Sequence, residues 1–467
     1  MGNFYQKIAK SFTARTKFLL AIMLGCMLTF GFAPFHFIPA TICSLAGLYY
    51  LIEQCKSKKE IFKYATAFGF AHFLSSMYWL ATPLFADIKS YYFVMPFSLG
   101  LTPFILSLFI SIPCVLTLYF KNRTAKIFIF AFGITMLELI RTYIIPFPWN
   151  LLGYVSAGSK YLMQMVGIVT IHGMTFFIVF TSISLFSKSR KLVTIALTAI
   201  FIFTGFGYYL FNKPTTDNSN INIRLVQPNF GYFYDIEYDE SYQKFEELLK
   251  IMLDRLPDEN QLIILPEGSM PFLMKDYEGD MQDQATQLLA SIAHEHNTKI
   301  LLPANYLSEK EQKYYNSLLL IGENGIEHKY FKRILVPFGE YLPLKKLLGY
   351  FLTPIATSNG GFCPGRQAAQ FEYKGLNFVP SICFESIFPQ LFKKKHSIII
   401  NVTNDSWLGN TIGPSQHFDM LRFRAIETNS KIIRVANTGL TAIVDEKGNI
   451  LHYLNINQQL TLDIDQL

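Results

Sequence analysis

The uneven distribution of acidic residues is the feature that most restricts what this chain can fold into. The first 216 residues contain only four of them, Glu53, Glu60, Asp87 and Glu138, against 18 lysines and arginines, which gives a net charge of +14. The remainder carries 23 basic and 30 acidic side chains, a net charge of −7. Only 16% of all residues are charged, whereas soluble proteins have about a quarter. We therefore expect a membrane region followed by a water-exposed region, and we exclude a disordered chain and a purely soluble enzyme.

Seven apolar segments in the first half approach the length of about 20 residues that a helix needs to cross a bilayer. They are residues 18–35, 37–53, 61–82, 95–120, 126–145, 161–187 and 191–211. The fourth segment contains Pro96, Pro103 and Pro113, so its start is poorly defined by the sequence. The pattern predicts a polytopic α-helical membrane bundle of about seven spans.

Lysines and arginines that flank these segments predict their orientation, because cytoplasmic loops are enriched in them. Fourteen lie at the N-terminus and in the second, fourth and sixth connections, whereas the other connections contain only Lys89, Arg141 and Lys160. We therefore expect a cytoplasmic N-terminus. An odd number of spans then places everything after about Phe211 outside the cytoplasm.

A polar run at residues 213–220 (KPTTDNSN) has the composition of a linker. Strand-like apolar runs follow at 221–227, 262–265, 299–303, 316–321, 378–383, 398–402 and 432–436, with helical stretches at 242–256 and 281–296. Near-continuous apolar runs are typical of strands that are buried on both faces, and their alternation with helices predicts one α/β or layered α-β-β-α domain. We therefore predict a transmembrane domain (1–212), a linker (213–220) and an extracytoplasmic domain (221–467).

Glu138 and Arg141 stand three residues apart near the end of the fifth apolar segment. Ionisable residues at membrane depth are costly and often mark functional sites. A self-neutralising pair on one face of a helix is an equally good interpretation. The sequence leaves their role open.

Polar residues near three strands could form a reactive site. Glu267 follows one strand, Lys332 and Glu340 lie in FKRILVPFGEY, and Cys383 and Glu385 follow another strand. Taken singly, such an acid is usually a helix cap, and a lone cysteine is usually inert core. Together they could perform acyl transfer through a thioester, with Glu267 as the base for the thiol and Lys332 stabilising the thiolate and an oxyanion. Glu340 and Glu385 could hold Lys332 in place.

The Glu–Lys–Cys order resembles the nitrilase (carbon–nitrogen hydrolase) superfamily. The apolar first half narrows the resemblance to a membrane-embedded branch, the bacterial apolipoprotein N-acyltransferases. The runs that carry it are 146–154 (PFPWNLLGY), 226–229 (VQPN), 335–343 (LVPFGEYLP), 401–407 (NVTNDSW) and 434–439 (RVANTG). A soluble nitrilase would have neither the spans nor the first of these runs.

This resemblance implies an α-β-β-α nitrilase-like sandwich on a membrane bundle, and acyl transfer in two steps. A fatty acyl chain would move from a phospholipid, usually the sn-1 position of phosphatidylethanolamine, to Cys383. It would then pass to the α-amino group of the diacylglyceryl-cysteine of an apolipoprotein. Glu267 and Lys332 would complete the catalytic triad, and Glu340, Glu385 and Phe384 would support it.

The resemblance also implies a position in the bacterial inner membrane, with the catalytic domain on the periplasmic side, and we expect a monomer. Its partners would be the phospholipid donor, the diacylated lipoprotein acceptor and the lipid bilayer, and it would need no cofactor, metal or nucleic acid. Two other interpretations are a membrane-tethered amidase that hydrolyses a small amide with the same triad, and a membrane protein that only binds. The intact triad counts against the second.

Three features depart from the family pattern. The family commonly ends in one more transmembrane helix, whereas residues 459–467 read QLTLDIDQL. Phe384 stands where the family often has tyrosine after the nucleophile. A family tryptophan after the VQPN run has no clear equivalent, and the available aromatic residues are Phe230, Tyr232, Phe233 and Tyr234.

The connection between Pro343 and Pro364 is unusually apolar and contains hinge-like glycines. We expect a mobile lid beside the active site that contacts substrate through Tyr350, Phe351 and Leu352. Packing of these residues on the domain core is the alternative.

Cysteine spacing adds two expectations. Six scattered cysteines without a CxxC motif argue against a zinc site and against a disulfide framework. Cys383 is expected to be the only essential cysteine. Cys363, the other cysteine of the second half, is expected to be a free thiol.

Overall fold

The computed structural model describes residues 13–85, 91–214, 221–231, 238–257, 261–275, 284–343, 346, 361–367, 370–392 and 398–465. The chain divides into two compact units. The helical unit comprises Met1–Lys213 together with Leu408–Phe423, and the sheet unit comprises Pro214–Trp407 together with Arg424–Leu467. The second half of the chain thus contributes one segment to the unit that the first half forms.

The helical unit has a helix at each of the seven predicted apolar ranges. The helices are α1 (Ala14–Thr29), α2 (Ile38–Glu53), α3 (Lys58–Met77), α4 (Thr102–Leu116), α5 (Arg123–Ile144), α6 (Lys160–Gln164), α7 (Val166–Leu185) and α8 (Arg190–Phe211). Polar side chains cap several N-termini, as Ser57 Oγ does by accepting from Glu60 N at 3.2 Å. Close helix contacts depend on glycine, because a Cβ at Gly25 of α1 would lie 2.2 Å from Phe68 O of α3.

Four helical stretches among the described residues are long and apolar enough to cross a membrane. They are Tyr92–Tyr119, Arg123–Ile144, Val166–Leu185 and Arg190–Phe211. The predicted count of seven spans is not confirmed. Helices α1 and α2 have 16 residues each, which at about 1.5 Å per residue falls short of a hydrocarbon core of about 30 Å. Helix α3 begins with three charged residues (Lys58, Lys59, Glu60) and has Lys63 a turn later.

The sheet unit is built from two sheets of mixed strand direction. The strands are β1 (Asn222–Gln227), β2 (Gln261–Ile264), β3 (Met274–Lys275), β4 (Lys299–Ser308), β5 (Lys313–Gly322), β6 (Gly325–Phe331), β7 (Phe371–Tyr373), β8 (Leu376–Ile382), β9 (Ile398–Thr403), β10 (Lys431–Ala436), β11 (Thr441–Val444), β12 (Ile450–Leu454) and β13 (Leu460–Ile464). One sheet has the order β13-β1-β2-β4-β5-β6, with β3 beside β4, and the other has the order β12-β11-β10-β9-β8-β7. Strands β1, β2 and β4 are mutually parallel, as are β8, β9 and β10.

Apolar side chains of both sheets form one buried cluster, so the sheets pack face to face. The cluster includes Leu225, Leu320, Phe378, Ile400 and Ile433. A second cluster joins the first sheet to helices α9 (Tyr238–Leu253) and α10 (Gln284–Glu295) through, among others, Phe245, Leu248, Met252, Leu289 and Ile292. The central strands are buried on both faces, as their near-continuous apolar runs predict.

All seven predicted strands are present, and the sequence analysis missed several others. Two of the missed strands are largely exposed, since three consecutive residues of β6 and the first four of β12 face outward, whereas β11 is short but fully buried. The run 459–467, which has no apolar span, contributes β13, and this strand pairs antiparallel with β1. Helix α11 (Gly413–Thr428) was not predicted either.

Candidate active site

The predicted triad lies at the ends of three strands. Glu267 follows β2 by three residues, while Lys332 follows β6 directly and Cys383 follows β8 directly. Strands β2 and β6 belong to one sheet and β8 to the other. Hydrogen bonding between Lys332 and Glu267, and the electrostatic effect of both on the Cys383 thiol, show that the three side chains are neighbours.

Lys332 is buried between two carboxylates. Its Nζ lies 2.8 Å from Glu340 Oε1 and 3.3 Å from Glu267 Oε1, and its side chain is 1% exposed. Burial by itself would lower the pKa of Lys332, but the charges of Glu267 and Glu340 outweigh it and raise the pKa above its ordinary value. The two carboxylates therefore favour the charged ammonium form of Lys332.

Asn316 joins the same two carboxylates from the neighbouring strand β5. Its Nδ2 donates to Glu267 Oε1 and to Glu340 Oε1, each at 2.7 Å, and its main-chain oxygen accepts from Lys332 N at 2.8 Å. Sequence analysis placed Asn316 only at the start of a strand. The available signal was an amide in an otherwise apolar run, which alone does not identify its partners.

Glu267 is held by contacts to both of its oxygens. Oε1 accepts from Asn316 and Lys332, and Oε2 accepts from Asn404 N at 3.0 Å. Gly268 follows in the left-handed region with φ of 74°, and a Cβ there would lie 2.7 Å from Asn404 Nδ2. Glycine thus allows the turn after β2 to approach Asn404 closely.

Glu385 connects the two sheets through their main chains rather than through Lys332. Its carboxylate accepts from Arg333 N at 2.7 Å, from Ile382 N at 2.8 Å and from Tyr330 Oη at 2.9 Å. Among the described contacts it makes no hydrogen bond to Lys332, so the predicted direct support of Lys332 belongs to Glu340. Burial raises the pKa of Glu385, while these donors oppose that rise.

Cys383 has an unusual backbone and a suppressed acidity. Its φ of 48° lies in the left-handed region, which is sparsely populated by residues with a side chain. Burial and then the Glu267 carboxylate raise the pKa of the thiol, while the charge of Lys332 and a side-chain hydrogen bond with Thr403 oppose the rise. The raised pKa favours the thiol form of the resting sulfur, beside the Glu267 carboxylate.

A buried ion pair supports the segment after β9. Arg434 Nη2 lies 2.6 Å from Asp405 Oδ2, with both side chains almost fully buried, and Arg434 Nη1 donates to Asn401 Oδ1 at 2.7 Å. Thr403 Oγ1 donates to Asp405 Oδ1 at 3.2 Å. A Cβ at Gly439 would lie 2.2 Å from Asp405 Oδ2, so only glycine fits there. These contacts join the runs 401–407 and 434–439 to each other in the folded protein.

Two family models match the chain: the apolipoprotein N-acyltransferase N-terminal domain over residues 24–184 and carbon-nitrogen hydrolase over residues 222–466. The proteins named apolipoprotein N-acyltransferase from Rickettsia typhi and Brucella melitensis are 32% and 31% identical to it, over 94% and 92% of this chain and 90% and 86% of theirs. The chain belongs to the apolipoprotein N-acyltransferase family. Among solved structures, Saccharomyces cerevisiae Nit3, a nitrilase-superfamily member, is 18% identical with a TM-score of 0.41, covering 53% of this chain and 90% of that chain.

Within the region that matches the family's N-terminal domain, Glu138 and Arg141 both hold the run 146–154. Glu138 accepts from Leu152 N at 3.0 Å and from Thr175 Oγ1 at 2.7 Å, and Arg141 Nη2 donates to Trp149 O at 3.0 Å. The described contacts contain no ion pair between the two. Glu138 and Arg141 therefore satisfy main-chain groups at the start of the 3-10 helix Leu152–Gly158 and in the irregular segment before it, which an apolar environment would otherwise leave unpaired.

Trp149 fixes the segment Leu408–Phe423 within the helical unit. The indole nitrogens of Trp149 and Trp79 both donate to Gln416 Oε1, at 2.8 and 3.3 Å. The two indoles lie 4.5 Å apart, and the ring of His417 stacks on Trp149 at 5.8 Å. Nothing in the sequence near Gln416 indicates these partners, because they lie hundreds of residues away in the chain.

Several predicted residues contribute less or cannot be placed. The Phe384 side chain is buried, with its ring 5.0 Å from that of Phe388. Tyr350, Phe351 and Leu352 of the predicted lid lie outside the described residues, as do Tyr232, Phe233 and Tyr234. Phe230 is described and donates its N–H to Asn437 Oδ1 at 2.9 Å.

The described part of the chain contains no cluster of three or more His, Cys, Asp or Glu residues that could hold a metal ion. All six cysteines lie in that part, and each is a free thiol.

Proposed function

We propose that this protein transfers a fatty acyl chain from a phospholipid to the N-terminal amino group of the diacylglyceryl-cysteine of apolipoproteins, the last step of lipoprotein maturation. One observation carries the proposal: the buried network of Glu267, Lys332 and Glu340 beside Cys383, in a chain that aligns over 94% of its length with a named apolipoprotein N-acyltransferase. The sn-1 chain of phosphatidylethanolamine is the proposed donor.

In the first half-reaction, Glu267 accepts the thiol proton as the sulfur of Cys383 attacks the ester carbonyl carbon. The carbonyl oxygen becomes an anion, and the Lys332 ammonium stabilises it. Collapse breaks the ester C–O bond, and Glu267 returns the proton to the leaving oxygen. A lysophospholipid departs, and the acyl group stays on Cys383 as a thioester.

In the second half-reaction, the lipoprotein amine attacks the thioester carbonyl. A C–N bond forms, the C–S bond breaks, and Glu267 moves the proton lost by nitrogen to the departing sulfur. The free thiol is restored, so one base serves both steps. Glu340 positions Lys332 by direct contact, while Glu385 fixes the strand ends that carry Lys332 and Cys383, and the buried ring of Phe384 packs against Phe388.

The proposed setting is the bacterial inner membrane, with the N-terminus in the cytoplasm and the domain 221–467 on the periplasmic side. The 14 to 3 distribution of flanking cations supports this orientation. The transmembrane domain 1–212 and the linker 213–220 complete the proposed organisation. We propose a monomer that works on two lipid partners within the bilayer.

The test is a two-stage assay on the purified full-length chain. Phospholipid alone should yield a thioester and one equivalent of lysophospholipid, and added diacylated lipopeptide should then take up the acyl group as an amide. Hydrolysis of a small amide with release of ammonia, without either product, would assign the protein to the amidase class instead. Phospholipid binding without any thioester would indicate a binding protein.

A further inference from the structure

A groove on the helical unit lies between α1, α3 and α4. It has a volume of about 400 Å³, and Phe18, Ile22, Thr66, Phe70 and Phe104 contribute to its walls. The Thr66 hydroxyl is already hydrogen-bonded to Ser111 Oγ at 2.9 Å. The groove therefore offers a hydrocarbon lining to whatever enters it.

Lys63 also lines the groove, and no carboxylate among the described residues neutralises its charge. Its Nζ lies 5.3 Å from the ring centre of Phe18 and 5.9 Å from that of Tyr64, so the amine sits over aromatic faces. It forms no ion pair within the described ranges of the chain. The nearest acid on its helix, Glu60, instead accepts from Lys56 N at 2.9 Å.

The polar and apolar ends of the groove are separated along the helix axis. Lys63 lies just over a turn into α3, close to Lys58 and Lys59, whereas Phe70 lies seven residues further on. Seven residues of helix span about 10 Å. A ligand that follows the groove would have an anionic group at the cationic end of the helix and a hydrocarbon chain running towards the middle.

We propose that this groove binds one acyl chain of an anionic phospholipid whose phosphate pairs with Lys63. Basic pockets between membrane helices are suited to such headgroups. The proposal rests on groove residues of the helical unit alone and does not depend on the proposed chemistry.

The experiment measures lipid retained by the purified full-length protein in native mass spectrometry. Phosphatidylglycerol and phosphatidylcholine with identical chains are offered at equal concentration. The wild-type protein should retain phosphatidylglycerol about fivefold better, the size expected for one lysine at a membrane surface. Lys63→Ala should abolish the preference, while Lys121→Ala, which removes an exposed lysine outside the groove, should keep it.

A second variant tests the apolar part. Ile22→Trp should fill the groove and reduce retention of both lipids, and glycerol phosphate without acyl chains should not compete. The proposal is overturned if the two lysine variants lose the preference equally, if the wild type shows no preference, or if glycerol phosphate competes. It is also overturned if Ile22→Trp has an unchanged melting temperature and retains both lipids as well as the wild type does. Donor lipid bound near Cys383 should add the same amount of retained lipid to every variant, so its contribution cancels when the variants are compared.

Discussion

Replacing Asn316 tests whether the network around Lys332 controls reactivity. Asn316→Ala removes the two donors that hold Glu267 and Glu340, each at 2.7 Å. A hydrogen bond to a charged group contributes about 1.5–3 kcal/mol, so the pair amounts to about 3–6 kcal/mol. Because one of the two bonds orients the proposed base, we assign half of this loss to the acylation step. That half is about 1.5–3 kcal/mol, so thioester formation should be about 10- to 150-fold slower.

The assay is a single-turnover measurement of Cys383 acylation by intact mass, combined with thermal melting. The matched control is Asn377→Ala, which makes the same chemical change at an exposed position of β8. The control should acylate at the wild-type rate. If Asn316→Ala also acylates within twofold of wild type, Glu267 does not depend on Asn316 and the reasoning fails.

Three further predictions concern the proposed chemistry and the orientation. Glu267→Gln should block attack on phospholipid, and Lys332→Ala should slow acylation about 100-fold or more, with phospholipid binding retained in both; wild-type acylation in either variant would remove the assigned role. Burial and Glu267 raise the pKa of Cys383, so its alkylation by iodoacetamide should keep accelerating above the ordinary thiol pKa of about 8.5; a plateau below that pH would contradict the raised pKa. A reporter enzyme that works only outside the cytoplasm should be active when it is fused after Gly268, and a reporter that works only in the cytoplasm should be inactive there. Activity of the cytoplasmic reporter would mean an even number of spans.

The triad could be singled out from the sequence because each member interrupts or follows an apolar run. Glu267 and Cys383 each come shortly after a buried apolar strand, where a polar or reactive side chain is more informative than it would be on an exposed surface. Asn316 and Gln416 could not be identified in the same way. Their partners are distant in the chain, and an amide has no characteristic spacing until folding brings those partners within 3 Å or so.

The span count shows a second limit of sequence patterns. Apolar composition marks helices α1 to α3 correctly, but it does not reveal that α1 and α2 stop at 16 residues. The open question of Glu138 and Arg141 was likewise decided by geometry. Spacing left an ion pair and a functional site as equally good interpretations, and the structure shows each side chain bound to the main chain of the run 146–154 instead of to the other.

The most direct test of the account is the site of acyl attachment. Wild-type protein incubated with phospholipid alone should gain the mass of one acyl group on Cys383, and hydroxylamine should remove it because thioesters are labile to it. Cys363→Ala should acylate normally, and Cys383→Ser should form no thioester. Equal loss of acylation in both variants, or a stable acyl group on any other residue, would contradict the central claim that Cys383 is the nucleophile.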